Sequence, residues 1–120
     1  MAAMLPLLTS CFGNPSSVHS FGSASRAAVD LARESVAGLL RAEFSEIYFT
    51  SGGTEADNLA LTGAMEAAAP GRDHLVTTAI EHPAVRQTAA ALRQRGYSIS
   101  FASVDRRGLV SLEDLQRLIT

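Results

Sequence analysis

Two short stretches carry residue types suited to chemistry on a small anionic molecule. One is Thr50-Ser51-Gly52-Gly53-Thr54-Glu55-Ala56-Asp57-Asn58, the other Glu81-His82-Pro83. The first lies between an apolar run, Ile47-Tyr48-Phe49, that reads as a strand and an alanine-rich segment, Leu59 to Ala69, that reads as a helix. At such a turn the first backbone N–H groups of the helix have no partner inside it, and the helix dipole adds roughly half a positive charge. Glycine lets a bound group approach the backbone, because no Cβ stands in the way. The turn is therefore a natural seat for a phosphate. His82 precedes a proline, which suits the first position of a helix. In an open parallel sheet, ligands bind outside the carboxyl ends of the strands, and neighbouring strands lie only about 4.8 Å apart. If the two strands are parallel, both turns fall on one edge. A flat, aromatic, phosphorylated ligand suits the pair, with its phosphate on the N–H groups of the first turn and its ring against His82.

Each piece also has a plainer reading. Gly52-Gly53-Thr54 can be a tight turn with Thr54 as the helix cap, and His82 can be a cap or a surface residue. His19 and His74 carry no neighbouring acid, base or metal-ligand pattern and read as structural. Cys11 is followed by Phe12 and reads as a small packed residue rather than a nucleophile. Glu55 and Asp57 fall in a first helical turn, where carboxylates favour the dipole. Arg106-Arg107 reads as a solvated turn.

The elements that must position these residues follow from periodicity and punctuation. Met1 to Ser10 reads as the tail of a helix interrupted by Pro6, and Cys11 to Ser17 as a loop dense in turn formers. A helix is expected from about Ser20 to Leu40, with Val29, Ala32, Val36 and Leu39 as its buried stripe and Arg26, Asp30, Arg33 and Glu34 off it. Glu46 to Thr50 is expected as the first strand, followed by the glycine turn and a helix to about Ala69. Pro70-Gly71-Arg72-Asp73 is a stop signal. His74 to Ile80 reads as the second strand, and the helix after Pro83, with Val85, Ala89 and Leu92 on one face, ends at Gly96. Tyr97 to Val104 alternates as a strand with Tyr97, Ile99 and Phe101 buried. Arg106-Arg107-Gly108 reads as a turn, and Ser111 caps a last helix with Leu115, Leu118 and Ile119 inward. Strands alternating with helices imply an α/β fold with a mostly parallel sheet and flanking helices. The 120 residues read as a single partial domain: helix tail and loop over 1–18, helix and connection over 19–45, strand–helix units over 46–120. Both ends look cut.

Bulk composition narrows the function classes. Hydrophobic residues make up 47% of the chain, enough for a core. The net charge of −2 without a basic tract argues against nucleic acid as a partner. The single cysteine excludes an internal disulfide and any multi-cysteine metal site, and a reducing, cytoplasmic setting is the default. No metal site is expected. Met1 to Leu8 is short and lacks a basic leader, so it does not read as a signal peptide, and no apolar run is long enough for a membrane span. All ten basic residues are arginines. Chemistry that needs a lysine amine cannot be completed by these residues alone.

Phe12-Gly13-Asn14-Pro15-Ser16-Ser17, His19-Ser20-Phe21-Gly22, Ile47 to Asn58 and Glu81-His82-Pro83-Ala84-Val85 occur in this order and at suitable spacing. Together they resemble the cysteine desulfurases of the class V aminotransferase family, which use pyridoxal 5'-phosphate, over about Cys11 to Thr120. The resemblance implies part of a fold-type I large domain. It implies that Gly53 and Thr54 hold the cofactor phosphate, through a backbone N–H and a hydroxyl, and that His82 stacks on the pyridine ring and is placed for proton transfer. It implies removal of sulfur from L-cysteine to give L-alanine and an enzyme persulfide, a sulfur-acceptor protein, a homodimer, and a place in sulfur metabolism and iron–sulfur cluster assembly.

The Schiff-base lysine, the aspartate that pairs with the pyridine nitrogen and the sulfur-accepting cysteine of that family belong to segments beyond Thr120. Cys11 does not match the sulfur-accepting position. The chain thus reads as an N-terminal portion of such an enzyme. A selenocysteine lyase or another class V aminotransferase is an alternative, and so is a non-catalytic α/β module that binds a phosphate-bearing ligand or a protein. The 120-residue chain by itself is expected to turn over no cysteine and, after borohydride treatment with pyridoxal phosphate, to give no lysine adduct by mass spectrometry. Alanine production from cysteine by this chain alone would overturn that expectation.

Overall fold

A computed structural model of the chain describes residues 2 and 4–119. It contains two compact units, one running through Phe49 and the other beginning at Thr50.

In the first unit, helix α1 spans Leu5–Thr9. Pro6 lies in its first turn, where a missing N–H costs nothing, so the proline opens this helix rather than interrupting one. The following loop folds tightly against the start of helix α2, Ser20–Leu40. A Cβ on Gly13 would stand 2.3 Å from the Phe21 carbonyl oxygen, and one on Gly22 2.4 Å from that of Ser17. Only glycine permits either approach. His19 caps α2, its Nδ1 accepting from the Gly22 N–H at 3.3 Å.

The buried face of α2 differs from the expected stripe. Gly22, Ser25 and Ala37 are buried, with Val29 and Val36 half-buried, whereas Ala32 and Leu39 face solvent. Arg33, expected off the stripe, lies within it. Its Nε donates to the Ile47 carbonyl at 3.1 Å, and its guanidinium sits 5.0 Å from the Phe44 ring centre and 5.7 Å from that of Phe49. Arginine can bury its stem and stack its planar head on aromatic faces, which apolar periodicity does not register.

The expected first strand is not formed. Phe44–Glu46 make a 3₁₀ turn, closed by reciprocal bonds between Glu43 and Glu46. Ile47 has extended backbone, but no strand among the described residues pairs with Ile47 to Thr50. The Ile47 carbonyl is taken by Arg33 instead of a sheet ladder.

The second unit holds helix α3 (Gly53–Ala67), strand β1 (His74–Thr78), helix α4 (Pro83–Gln94), strand β2 (Ser98–Ala102) and helix α5 (Leu112–Leu118). β1 and β2 pair in parallel, with His74 opposite Ser98 and Thr78 opposite Ala102. Parallel pairing requires a crossover, and α4 supplies it. The His74 ring bonds to Ser100 Oγ at 2.9 Å, a structural role. The alternation expected in β2 holds in part: Ile99 and Tyr97 are half-buried and Phe101 is 41% exposed, while Ala102 is buried. Ser111 caps α5 by accepting from the Asp114 N–H. Ala84, Ala89 and Leu92 of α4, with Met65 of α3 and Ala102 of β2, make up the unit's buried apolar residues.

α3 and α4 run side by side in the same direction. Thr88 of α4 bonds to Asn58 of α3, and each lies five residues into its helix. At the other end, Arg95 beyond α4 pairs with Glu66 in the last turn of α3. The helices therefore start at one end and finish at the other. No helix among the described residues is long and apolar enough to cross a membrane.

Many large apolar side chains face solvent, among them Leu8, Phe12, Phe21, Leu39, Tyr48 and Leu112. Exposed apolar surface on this scale drives association. The isolated chain is expected to self-associate at micromolar concentration in analytical ultracentrifugation. A monodisperse, cooperatively melting monomer would contradict this.

Candidate functional site

The glycine turn is held from both sides. The Thr50 hydroxyl donates to the Gly52 carbonyl at 3.1 Å, and both the N–H and the hydroxyl of Ser51 donate to Glu55 Oε2, at 2.7 and 2.6 Å. These two bonds hold the Glu55 carboxyl below its usual pKa, the Ser51 hydroxyl contributing most. Glu55 is thereby kept ionised and folded back onto Ser51. Gly52, not Thr54, is the residue that caps α3, and it makes no side-chain capping bond. That leaves the Thr54 hydroxyl uncommitted to capping.

The first intrahelical bond runs from the Ala56 N–H to the Gly52 carbonyl at 3.1 Å. The N–H groups of Gly53, Thr54 and Glu55 find no acceptor among the described residues. An added Cβ on Gly52 or Gly53 would meet nothing of the chain within 4 Å. Gly52 has extended backbone that any residue can adopt, so neither crowding nor backbone strain accounts for the glycine there. Open donors facing open space at a positive helix end are what a phosphate requires. The residues present fit the phosphate of pyridoxal phosphate on this count.

His82 stands at the matching position of α4. Its Nδ1 accepts from the Ala84 N–H at 3.2 Å, so it caps the helix. The capping bond fixes the ring and, in the neutral imidazole, puts the proton on Nε2. The ring is exposed, and the preceding turn is held by the Thr78 hydroxyl, which donates to Glu81 Oε1 at 3.1 Å. The plainer reading, a capping histidine, is thus correct for one ring nitrogen and leaves the other nitrogen and the ring face to a ligand.

Because α3 and α4 are parallel, the Gly53–Glu55 amides and His82 lie at the same end of the pair. Packed helices are about 8–10 Å apart, a separation that a ring bearing a phosphate arm can bridge. The juxtaposition expected from the sequence depends on a first strand that does not pair. The structure reaches it through the contact between the helices.

Two residues of that contact were missed at the level of sequence. Asn58 Nδ2 donates to the Thr54 carbonyl at 2.7 Å, and Thr88 occupies the buried face of α4. The buried stripe of α4 is Ala84, Thr88, Ala89 and Leu92, with Val85 only half-buried. A lone threonine four residues after Ala84, on an otherwise apolar face, was the available signal. Cys11 is partly exposed, and its carbonyl accepts from the Ser25 hydroxyl.

The chain is similar to known proteins over nearly all of its length. The family model described as aminotransferase class V matches residues 1–120. The chain is 49% identical over 117 residues to the cysteine desulfurase IscS of Clostridium botulinum (strain Kyoto / Type A2), covering 98% of this chain and 30% of that protein. Among solved structures, a NifS-like protein superposes with a TM-score of 0.84 at 36% identity, covering 98% of this chain and 32% of the other. A structure described as SspA in complex with cysteine gives 0.82 at 33% identity, with 99% and 34% covered. The chain thus spans about a third or less of the length of these relatives. The chain belongs to the class V aminotransferase family.

Proposed function

We propose that this chain supplies the phosphate- and ring-binding portion of a pyridoxal-phosphate-dependent cysteine desulfurase. The observation that carries the reading is the parallel alignment of α3 and α4, which presents the free amides at Gly53 and the capped imidazole of His82 at one end. Family membership supports the cofactor, and the desulfurase names of the relatives support L-cysteine as the substrate. A sulfur-acceptor protein, a homodimeric state and a cytoplasmic setting belong to the same reading, as does the assignment of both units to one large domain of a longer enzyme.

The chain's own residues divide the work. The Gly53 N–H and its neighbours, backed by the helix dipole, hold the phosphate, and the Thr54 hydroxyl adds a donor. His82 would hold the pyridine ring against its face, and the bond from the Ala84 N–H keeps the imidazole from swinging away. Its Nε2–H would be left free to donate a hydrogen bond to a group bound beside the ring. Bound pyridoxal phosphate supplies the electron sink that withdraws charge from the substrate carbon. The lysine that anchors the cofactor comes from outside these 120 residues, none of which is a lysine.

In the full-length enzyme, the double substitution Thr54→Ala, His82→Ala is expected to weaken retention of pyridoxal phosphate at least about tenfold. Loss of one hydrogen bond to a charged group costs about 1.5–3 kcal/mol, and 1.4 kcal/mol is tenfold. Equilibrium dialysis against cofactor-free buffer reads this directly. Retention as firm as in the parent would refute the assignment.

A further inference from the structure

Thr88 is a polar side chain on the packed face of α4, 4% exposed. Its hydroxyl has one proton and two acceptors in reach, the Ala84 carbonyl at 2.8 Å and Asn58 Oδ1. Asn58 in turn donates from Nδ2 to the Thr54 carbonyl at 2.7 Å, which fixes the orientation of its amide. Ala84 is the residue whose N–H is accepted by His82 Nδ1 at 3.2 Å. Hydrogen bonds thus tie Thr54 to Asn58 and Ala84 to His82, and the single Thr88 hydroxyl proton, shared between Asn58 Oδ1 and the Ala84 carbonyl, joins the two ends.

We propose that Asn58 and Thr88 are positioning residues, which hold the Gly53–Thr54 turn and the His82 ring at one fixed separation and so select a ligand with a phosphate and an aromatic ring at that spacing. The proposal rests on the site reading above. The other tie between the helices, Glu66 to Arg95, lies at their far ends with both side chains 49% exposed. An exposed ion pair contributes little and cannot set the register of the near ends. The apolar burial of Ala84, Ala89, Leu92 and Met65 is non-directional and tolerates sliding along the helix axes. A ligand held at two points loses affinity when the points shift relative to each other. A ligand held at one point does not feel the shift.

Removal of the hydroxyl need not disturb the fold. Asn58 is solvent-exposed, so its Oδ1 can turn to water. Valine has nearly the shape of threonine and fills the same space at position 88.

The test uses the full-length enzyme freed of cofactor, with two probes measured by calorimetry. Pyridoxine 5'-phosphate has the ring and the phosphate but no aldehyde, and inorganic phosphate has one anchor only. Thr88→Val and Asn58→Ala are expected to weaken pyridoxine phosphate about fivefold, the worth of one net hydrogen bond. Inorganic phosphate should stay within about twofold of the parent, and Thr88→Ser should restore the parental affinity for both probes. Equal weakening of both probes, or of neither, would overturn the proposal. Thr54→Ala is the control for the site itself. If it leaves phosphate binding unchanged, the site reading fails and the positioning role fails with it. If it weakens phosphate while Thr88→Val leaves the ratio between the probes untouched, the site stands and only the positioning role is lost.

Discussion

Two parallel helices that begin side by side are the constraint on which the site depends. Each N-terminus carries roughly half a positive charge and up to four N–H groups without helical partners. Placing two such ends together sets like partial charges against each other. Part of that cost is met within the chain: His82 Nδ1 accepts from an α4 amide, and the ionised Glu55 carboxylate lies in the first turn of α3. The amides of Gly53 and Thr54 are left facing outward. An anion bound there relieves the repulsion and uses the donors at once.

The contact that keeps the helices in register is polar. Met65 of α3 and Ala84, Ala89 and Leu92 of α4 are the buried apolar residues of the two helices, but apolar burial is non-directional and does not fix axial position. Thr88 and Asn58 do. Only the Thr88 side of this bond is buried, and a hydrogen bond is directional where apolar contact is not. A single one on a buried helix face can thus specify geometry out of proportion to its net energy.

Features governed by local chemistry were legible in the sequence. The bounds of α2 from Ser20 to Leu40, the opening of α4 at Pro83, its stop at Gly96 and the Ser111 cap all follow from residues within a few positions. Features governed by distant partners were not. Ile47 to Thr50 has strand composition and, at Ile47, strand backbone, but a strand exists only where another strand pairs with it. Arg33 joins the buried face of α2 because Phe44, Phe49 and the Ile47 carbonyl are there to receive it. Gly53, Thr54 and His82 could be singled out from turn chemistry and from the family resemblance. Asn58 and Thr88 act across two helices, and nothing in the local sequence of either names the other.

The central claim is that the Gly53 amide and the His82 imidazole serve one bound molecule. The most direct measurement is nitrogen NMR of the full-length enzyme labelled at glycine and histidine, titrated with pyridoxine 5'-phosphate. If the claim holds, the Gly53 amide and His82 Nε2 shift together and saturate with a single dissociation constant. A Gly53 amide that does not move while His82 does, or two signals that saturate at clearly different concentrations, would contradict it.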